Sequence, residues 1–512
     1  MRREYLPLQS LPAWAKLNGI VTNGVAFQNL SSSENDTDKG NAIVAIENKT
    51  SDESDSLPQV LLQIPPELVL SLETVHAQSK SDQCLREVLE AVGDFGRVCS
   101  FSSLTAFSKT VADDSQTARG AIMIFLLIQI THSSPGVKRM IGVSNAWTDY
   151  VKFFPPSFPL PTSYSGEEQQ LLRGTSLAAA VEAKTSSLER EFSRLRESTE
   201  NIEWCQDCWW GEGLDKLTED DWKYVDAAYR SRMVDLPGRG HAMVPCIDMA
   251  NHVSEPDVKA LYEANSEHNA VLQLRWGKSL QPGDEVTISY GDEKPASEMV
   301  FSYGFLESNR AEAKQVLLDM TMPMDDPLGD VKTMFCREAP GIRLSTASDI
   351  NSSSKITWES PLIWMACVNE EDGLHIRVAQ TTDGAMELEA IWKGTKLESP
   401  HHLRELLVSD PSWDIFQLRA VVLLLERIET QLALLQETED VLANLQENEA
   451  IFQALFRPDI FNLVARLRRL EAELLEKSVA DLMEQKTQLM ESDAVTAYLA
   501  QQSQADEVDD FS

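Results

Sequence analysis

The sequence predicts an α+β protein in which a β-rich unit is interrupted by a helical insertion and followed by a mainly α-helical C-terminal domain. Three observations carry this expectation. Short β-like runs occur near 41–64 and again near 270–290, the stretch between them from about 72 to 200 reads as helical, and leucines recur at helical spacing after about 410. At roughly 100 to 200 residues per domain, 512 residues suggest two to four domains, and 43% hydrophobic residues is enough to build a core in each.

The elements follow in order. NAIVAI at 41–46 and QVLLQI at 59–64 are predicted as two short strands joined by a loose loop, the acidic, Ser-rich 47–56. Helices are predicted over 85–92, 118–130 and 175–196, within a helical insertion of about 75–215. Inside it, four prolines between Pro155 and Pro161 deny any regular element and call for an ordered or extended connector. AVLQLRW at 270–276 and EVTISY at 285–290 are β-rich runs joined across Gln281, Pro282, Gly283 and Asp284, a type II turn by its Pro-Gly pair. A mixed stretch runs to about 400. Beyond it, Leu418, Leu425 and Leu432 repeat every seven residues, and Leu463, Leu467, Leu470 and Leu474 keep the spacing of one helical face. These stripes read as an intramolecular antiparallel bundle in a monomer ahead of an intermolecular coiled coil, since the heptads do not persist over many turns. The division is therefore 1–310 and 311–512, with an acidic, solvated and disordered tail over about 503–512.

Composition narrows the function classes. With 45 Lys plus Arg against 81 Asp plus Glu, the net charge of −36 argues against direct nucleic-acid binding and favours a basic partner, or simple solubility. The longest apolar run, 121–130, is about half of the ~20 residues a membrane-spanning helix needs, so it reads as a buried helix. The opening MRREYLPLQSLPAW lacks the continuous apolar segment of a secretory signal, so an intracellular protein of nucleus or cytoplasm is expected. Seven scattered cysteines fit a reducing compartment. The one tight pair, Cys205 and Cys208 in WCQDCWW, has no second pair to complete a zinc site, so no metal is expected.

Three strings carry chemistry: SRM at 231–233, VPCIDMANH at 244–252, and GDEVTISYGDEKPASEMVFSYGFLE at 283–307. Singly, each has a plain explanation: a surface ion pair for Arg232, a turn for Asn251 and His252, and amphipathic core aromatics for Tyr290 and Tyr303. Together, their order and spacing resemble the second half of a SET domain. DMANH, then about forty residues later ISYG, then YGF, is similar to the Rubisco large-subunit methyltransferase branch of the SET-domain protein lysine methyltransferases, to which fungal-type ribosomal-lysine methyltransferases also belong. KGNAIVA at 39–45, VLLQIP at 60–65, WTDYVKFFP and LLRGT extend the resemblance upstream. Two departures stand out: Gly40, Asn41, Ala42 keeps only the first glycine of the family's GxG, and Val253 separates His252 from Ser254.

The resemblance implies a β-rich SET domain closed by a pseudoknot-like segment, a helical substrate-binding domain over the last 200 residues, and S-adenosyl-L-methionine as cofactor. It implies Tyr290 at the methyl-transfer centre and Tyr303 lining a lysine channel. Phe305 would lie near the adenine, with Arg232 on the cofactor carboxylate and Asn251 and the His252 backbone recognising adenine. Lys39, Gly40 and Asn41 would form the first cofactor turn, and Asp248 would lie at the substrate side. Lysine's reference pKa of about 10.4 leaves roughly one amine in two or three thousand neutral at pH 7, so a poorly hydrated channel that favours the neutral form would assist transfer. The implied substrate is a non-histone, basic protein such as a ribosomal protein. Histidine methylation and a non-catalytic SET-like binding module are the alternatives; the joint presence of Arg232, Asn251, His252, Tyr290 and Tyr303 favours the enzyme.

Overall fold

The computed structural model describes residues 1–30, 40–52, 58–93, 112–137, 141–213, 215–336, 341–346, 356–380, 386–447 and 449–509. Short strands occupy both β-rich regions: β1 (Val21–Thr22), β2 (Val25–Asn29), β3 (Asn41–Ala45), β4 (Lys49–Thr50) and β5 (Gln59–Ile64), then β6 (Met233–Leu236), β7 (Gly240–Met243), β8 (Ala260–Ala264), β9 (Ala270–Leu274) and β10 (Ser279–Leu280). The two regions, distant in sequence, build one unit. β5 pairs antiparallel with β9, Leu62 opposite Leu272, in a sheet ordered β1-β5-β9-β8, and β4 pairs with β10. Every residue of β9, which lies between β5 and β8, is buried.

The two strands predicted at 41–46 and 59–64 both form, each with other partners: β3 pairs with β2, and β5 lies between β1 and β9. The run at 285–290 is not a hairpin strand against 270–276. It is an extended segment shared between two neighbours, with an antiparallel bridge from Glu285 to Val44 and a parallel bridge from Ile288 to His252. Its backbone groups are satisfied on both sides, Val286 N donating to the Ile43 carbonyl at 2.8 Å and Ile288 N to the Asn251 carbonyl at 3.0 Å. The Pro282-Gly283 turn forms as predicted, with Asp284 N donating to the Gln281 carbonyl at 2.9 Å and Gly283 at φ +97°. It follows β10 rather than β9.

The insertion is helical, with Gln83–Val92, Ala112–Ser133 and Leu177–Thr199 close to the predicted stretches. Ile122 to Ile128 are all buried, which is why this apolar run needs no membrane; among the described residues no helix is long and apolar enough to cross one. The proline-rich connector is ordered, Phe154, Phe158 and Leu160 being buried and Tyr224 donating to the Pro155 carbonyl at 2.8 Å. Cys205 and Cys208 are buried beside Trp204 and Trp209, and burial pushes the Cys205 thiol up.

After residue 310 come two three-stranded antiparallel sheets, Gln315–Asp319 with Gly341–Thr346 and Ile356–Glu359, and Leu374–Gln380 with Met386–Trp392 and Thr395–Lys396. Long helices then follow: Trp413–Gln446, Pro458–Met490 and Asp493–Asp509. The first two pack together, with Val421, Leu424, Ile428 and Leu435 buried on one and Val464, Leu467, Leu470 and Leu474 on the other. The seven-residue stripe is off-centre, with Leu418 and Leu432 only half-buried and Leu425 buried. The tail expected to be disordered is instead helical to Asp509, as no Gly or Pro interrupts its helix-forming residues.

Two hydrophobic cores result. The second recruits Tyr164, Leu171, Leu172 and Leu177 from the insertion and Ala296, Met299, Val300 and Leu306 from the end of the β-rich unit, so the helical region is packed against both. Several polar ties join them, among them Glu168, 2% exposed, which accepts from Arg457 Nε at 2.8 Å and Nη2 at 2.6 Å. The Arg457 fork, opposed by burial, lowers the Glu168 carboxyl to about 2. A depressed folded-state value means the stabilisation is present above the unfolded carboxyl range near 4.3 and is lost as pH falls towards 2. Arg457 is half exposed, so solvent screening reduces the effect to about 1–2 kcal/mol. Glu168→Gln is expected to lower the unfolding free energy by that amount at pH 7, with wild type and variant converging near pH 2 in denaturant melts.

Candidate active site

Arg232 ends the Glu219–Arg232 helix, which is fixed from beneath by Asp226. Asp226 is fully buried, yet Lys184, Arg230 and Arg119 at 2.9, 3.0 and 2.6 Å outweigh its desolvation and hold its carboxyl well below the usual range. Arg232 Nη1 donates to Asp248 Oδ2 at 2.9 Å and to the Asp248 carbonyl at 3.3 Å. The other carboxylate oxygen of Asp248 accepts the Tyr150 hydroxyl, which in turn accepts Cys246 N at 2.8 Å. Burial first, and then the Asp248 charge, push the Tyr150 phenol well up, so it remains a donor. The Asp248 side chain, for which the resemblance implied a place at the substrate side, is 1% exposed and serves as the counter-ion of Arg232. A local device allows this, since Cys246 adopts φ +72°, an uncommon conformation for a residue with a side chain, at the entry to the short Ile247–Met249 turn.

Arg232 lies 5.2 Å from the Phe154 ring centre and 5.6 Å from that of Phe158. Its Nε is buried and has no hydrogen-bond partner. A buried guanidinium with an orphaned donor fits an incoming carboxylate, which the fork geometry of arginine matches.

The second half of the site is aromatic. Tyr290 and Tyr303 rings are 4.6 Å apart, His252 stacks on Tyr290 at 5.2 Å and 25°, and Phe305 lies 6.4 Å from both tyrosines. Tyr303 is the last residue of the Ala296–Tyr303 helix. Gly304 then turns the chain at φ +77°, where a Cβ would approach the Pro159 carbonyl to 2.8 Å, so this turn admits only glycine and brings Phe305 back to the cluster. The Tyr290 hydroxyl donates to the Ala250 carbonyl at 2.9 Å, leaving its oxygen lone pairs directed elsewhere. Burial, and then Tyr303, push the Tyr290 phenol up, and burial raises Tyr303 against the pull of Lys294; both stay neutral at physiological pH.

His252 is tautomerically fixed. Its Nδ1 accepts Tyr290 N–H at 3.0 Å, so Nε2 carries the hydrogen and meets Glu307 Oε1 at 3.1 Å. Asn251 donates from Nδ2 to Glu285 Oε1 at 2.7 Å, which ties the Asn251-His252 segment to the extended closing segment. The first turn lies at the outer end of β3: the Gly40 carbonyl accepts Leu30 N at 2.8 Å, and Asn41 Oδ1 accepts Asn29 Nδ2 at 3.1 Å. Ala42, where the family has its second glycine, is fully buried. Lys39 lies outside the described residues.

The structure thus gathers Tyr290, Tyr303, Phe305 and His252 in one cluster. Asn251 and Asp248 reach it through the chain that leads to His252, and Arg232 through Asp248. Sequence reasoning missed Tyr150, Cys246, Glu285 and Glu307. Tyr150 sits within WTDYVKFFP and Glu307 ends SYGFLE, so both strings were marked, but nothing in them said which polar residue would turn inward.

No family model matches the chain. It is 25% identical over 388 residues to SET domain-containing protein 8 of Schizosaccharomyces pombe, covering 75% of this chain and 78% of that protein. It is 26% identical over 191 residues to the chloroplastic [fructose-bisphosphate aldolase]-lysine N-methyltransferase of Arabidopsis thaliana, covering 36% of this chain and 38% of that one. Among solved structures, Rubisco LSMT bound to AdoMet superposes with a TM-score of 0.60 at 16% identity, over 94% of this chain and 93% of that chain. The SET domain of LSMT bound to lysine and AdoHcy gives 0.59 at 16%, over 94% and 92%.

Proposed function

We propose that this chain, which has the SET fold with a helical C-terminal region, is an S-adenosylmethionine-dependent protein-lysine N-methyltransferase acting on a basic, non-histone protein such as a ribosomal protein. The observation that supports it most is the convergence of Tyr290, Tyr303, Phe305 and His252 at 4.6 to 6.4 Å, beside an arginine with an orphaned buried donor. The two relatives in sequence, one a SET-domain protein and one a lysine methyltransferase, point the same way.

S-adenosylmethionine, when bound, supplies a methyl group on a positively charged sulfur. Arg232 holds its carboxylate through Nε and the free edge of the guanidinium, while Asp248 neutralises the buried charge. Asn251, His252 and Phe305 border the adenine, and Gly40 and Asn41, with Lys39, form the turn at the end of β3. Tyr290 needs no proton transfer for its part. Its hydrogen is committed to Ala250, so its oxygen presents lone pairs to a polarised methyl group and orients the entering amine. Tyr303 and the ring of Tyr290 wall the channel, and the low hydration there favours a neutral lysine amine over the ammonium form. Residues 1–310 form the transfer domain and 311–512 the region that docks the protein substrate. The −36 charge suits a lysine-rich partner, and the chain works as a monomer in the nucleus or cytoplasm without contacting nucleic acid or membrane.

Calorimetry with S-adenosylmethionine, followed by tritiated methyl transfer into a lysate from cells lacking the enzyme, tests this. Saturable cofactor binding and labelling of a basic protein are expected. Cofactor binding without labelling would leave a non-catalytic SET-like module, and absence of cofactor binding would refute the reading.

A further inference from the structure

We propose that Glu307 and Arg466 are positioning residues for Tyr290, linking the seat of the helical C-terminal region to the transfer centre through one chain of hydrogen bonds. The inference rests on the assignment of Tyr290 above, and goes beyond it in naming what holds that residue.

The chain begins on the Pro458–Met490 helix. Arg466 Nη2 points at the turn 307–310 and donates to the carbonyls of Glu307, Ser308 and Arg310 at 2.6, 3.1 and 3.0 Å. The turn is closed by Arg310 N to the Glu307 carbonyl at 3.0 Å. Within it, Arg310 grips the Glu307 carboxylate with one edge of its guanidinium, Nε to Oε2 at 2.6 Å and Nη2 to Oε1 at 3.0 Å, and also donates to the Lys294 carbonyl at 3.1 Å. Glu307 Oε1 then meets His252 Nε2 at 3.1 Å and accepts Ser254 Oγ at 3.3 Å. His252 Nδ1 receives the Tyr290 N–H at 3.0 Å.

The path has little slack. The His252 side chain is fully buried, Arg310 is 5% exposed and Glu307 9%. Only one imidazole tautomer satisfies both ends: hydrogen on Nε2 faces the carboxylate, and a bare Nδ1 faces Tyr290 N–H. The other tautomer would set two N–H donors against each other and leave a carboxylate facing a lone pair. Glu307 and the Tyr290 N–H thereby favour the same form of His252, the one that can fix the Tyr290 backbone, and the same ring stacks on the Tyr290 side chain. Despite partial burial, His252 and Arg310 hold the Glu307 carboxyl well below the usual range, so the acceptor stays charged. Arg466 fixes the turn that carries Glu307, which makes the position of the helical region part of the geometry at Tyr290.

The test uses the full chain with histidine labelled by nitrogen-15. The His252 signals are assigned by their loss in His252→Gln and compared in wild type, Glu307→Ala, Glu307→Gln, Arg466→Ala and Arg466→Lys, each checked for folding by thermal melting. Wild type is expected to show a single Nε2–H tautomer. Glu307→Ala, which removes one of the two groups that fix the ring, should shift and broaden the His252 ring signals and lower turnover on the labelled protein substrate roughly a hundredfold with little change in S-adenosylmethionine affinity. Glu307→Gln, which keeps an acceptor for His252 but loses the Arg310 fork, should fall between and serves if the alanine variant fails to fold. Arg466→Ala should shift or broaden the same signals and lower kcat about tenfold, and Arg466→Lys, whose ammonium keeps three donors, should recover most of it. Unchanged His252 signals in folded Glu307 and Arg466 variants would overturn the proposal. Signals altered as expected in a wild-type background that transfers no methyl would instead overturn the functional reading and leave the hydrogen-bonded chain standing.

Discussion

Tyr290→Phe is expected to leave the fold and cofactor affinity intact while lowering turnover by roughly 10² to 10⁴, the range for a positioned polar group acting on charge at the transition state. The change deletes one oxygen from a ring of nearly the same volume, so the contacts with His252, Tyr303 and Phe305 persist. It also frees the Ala250 carbonyl, whose lost bond would cost only about 1 kcal/mol of stability. Tyr303→Phe is the comparison. Tyr303 ends a helix and lies against Lys294, 5.6 Å from its ring centre, so its hydroxyl is placed to affect substrate affinity or the number of methyl groups added more than the rate of transfer. Steady-state kinetics on the cognate substrate, with calorimetry for the cofactor, separates the two. A Tyr290→Phe enzyme with wild-type turnover and normal cofactor binding would move the transfer centre elsewhere.

Arg232→Ala is expected to abolish measurable S-adenosylmethionine binding. Truncating one member of a buried, hydrogen-bonded charge pair costs about 2–5 kcal/mol, or roughly 30-fold to several thousandfold in affinity. Part of that cost falls on the protein itself, because Asp248 loses its counter-ion at 1% exposure and keeps only the Tyr150 hydroxyl. Arg232→Lys separates the effects: an ammonium can still neutralise Asp248 but offers no planar fork to a carboxylate. The lysine variant should melt near wild type and bind the cofactor more weakly, while the alanine variant should be impaired in both. Undiminished affinity in either would remove Arg232 from the cofactor site.

Much of the site was legible because its residues fall in short strings whose order could be read directly. ISYG, DMANH and YGF each place a side chain of the candidate site next to a backbone feature that a string can show, such as the glycine after Tyr303. What the strings do not carry is which neighbour each segment meets. β3 and β5 are both apolar and β-branched, and either could have paired with the other; burial against β2 and β9 decided the matter. The 285–290 run has the pattern of a strand, yet it divides its hydrogen bonds between Val44 and the Asn251-His252 segment, a choice made by tertiary packing. The DMANH string does not say whether Asp248 is exposed, and only the positions of Arg232 and Tyr150 show it buried. Glu307 is similar: one more acidic residue in an acidic chain, until its distance to His252 is known.

Mass spectrometry of the substrate after reaction with S-adenosylmethionine carrying a deuterated methyl group tests the central claim most directly. The account predicts heavy methyl on a lysine Nε of a basic protein, present with wild type and reduced at least a hundredfold with Tyr290→Phe. Heavy methyl on a histidine ring, or equal labelling by wild type and Tyr290→Phe, would contradict it.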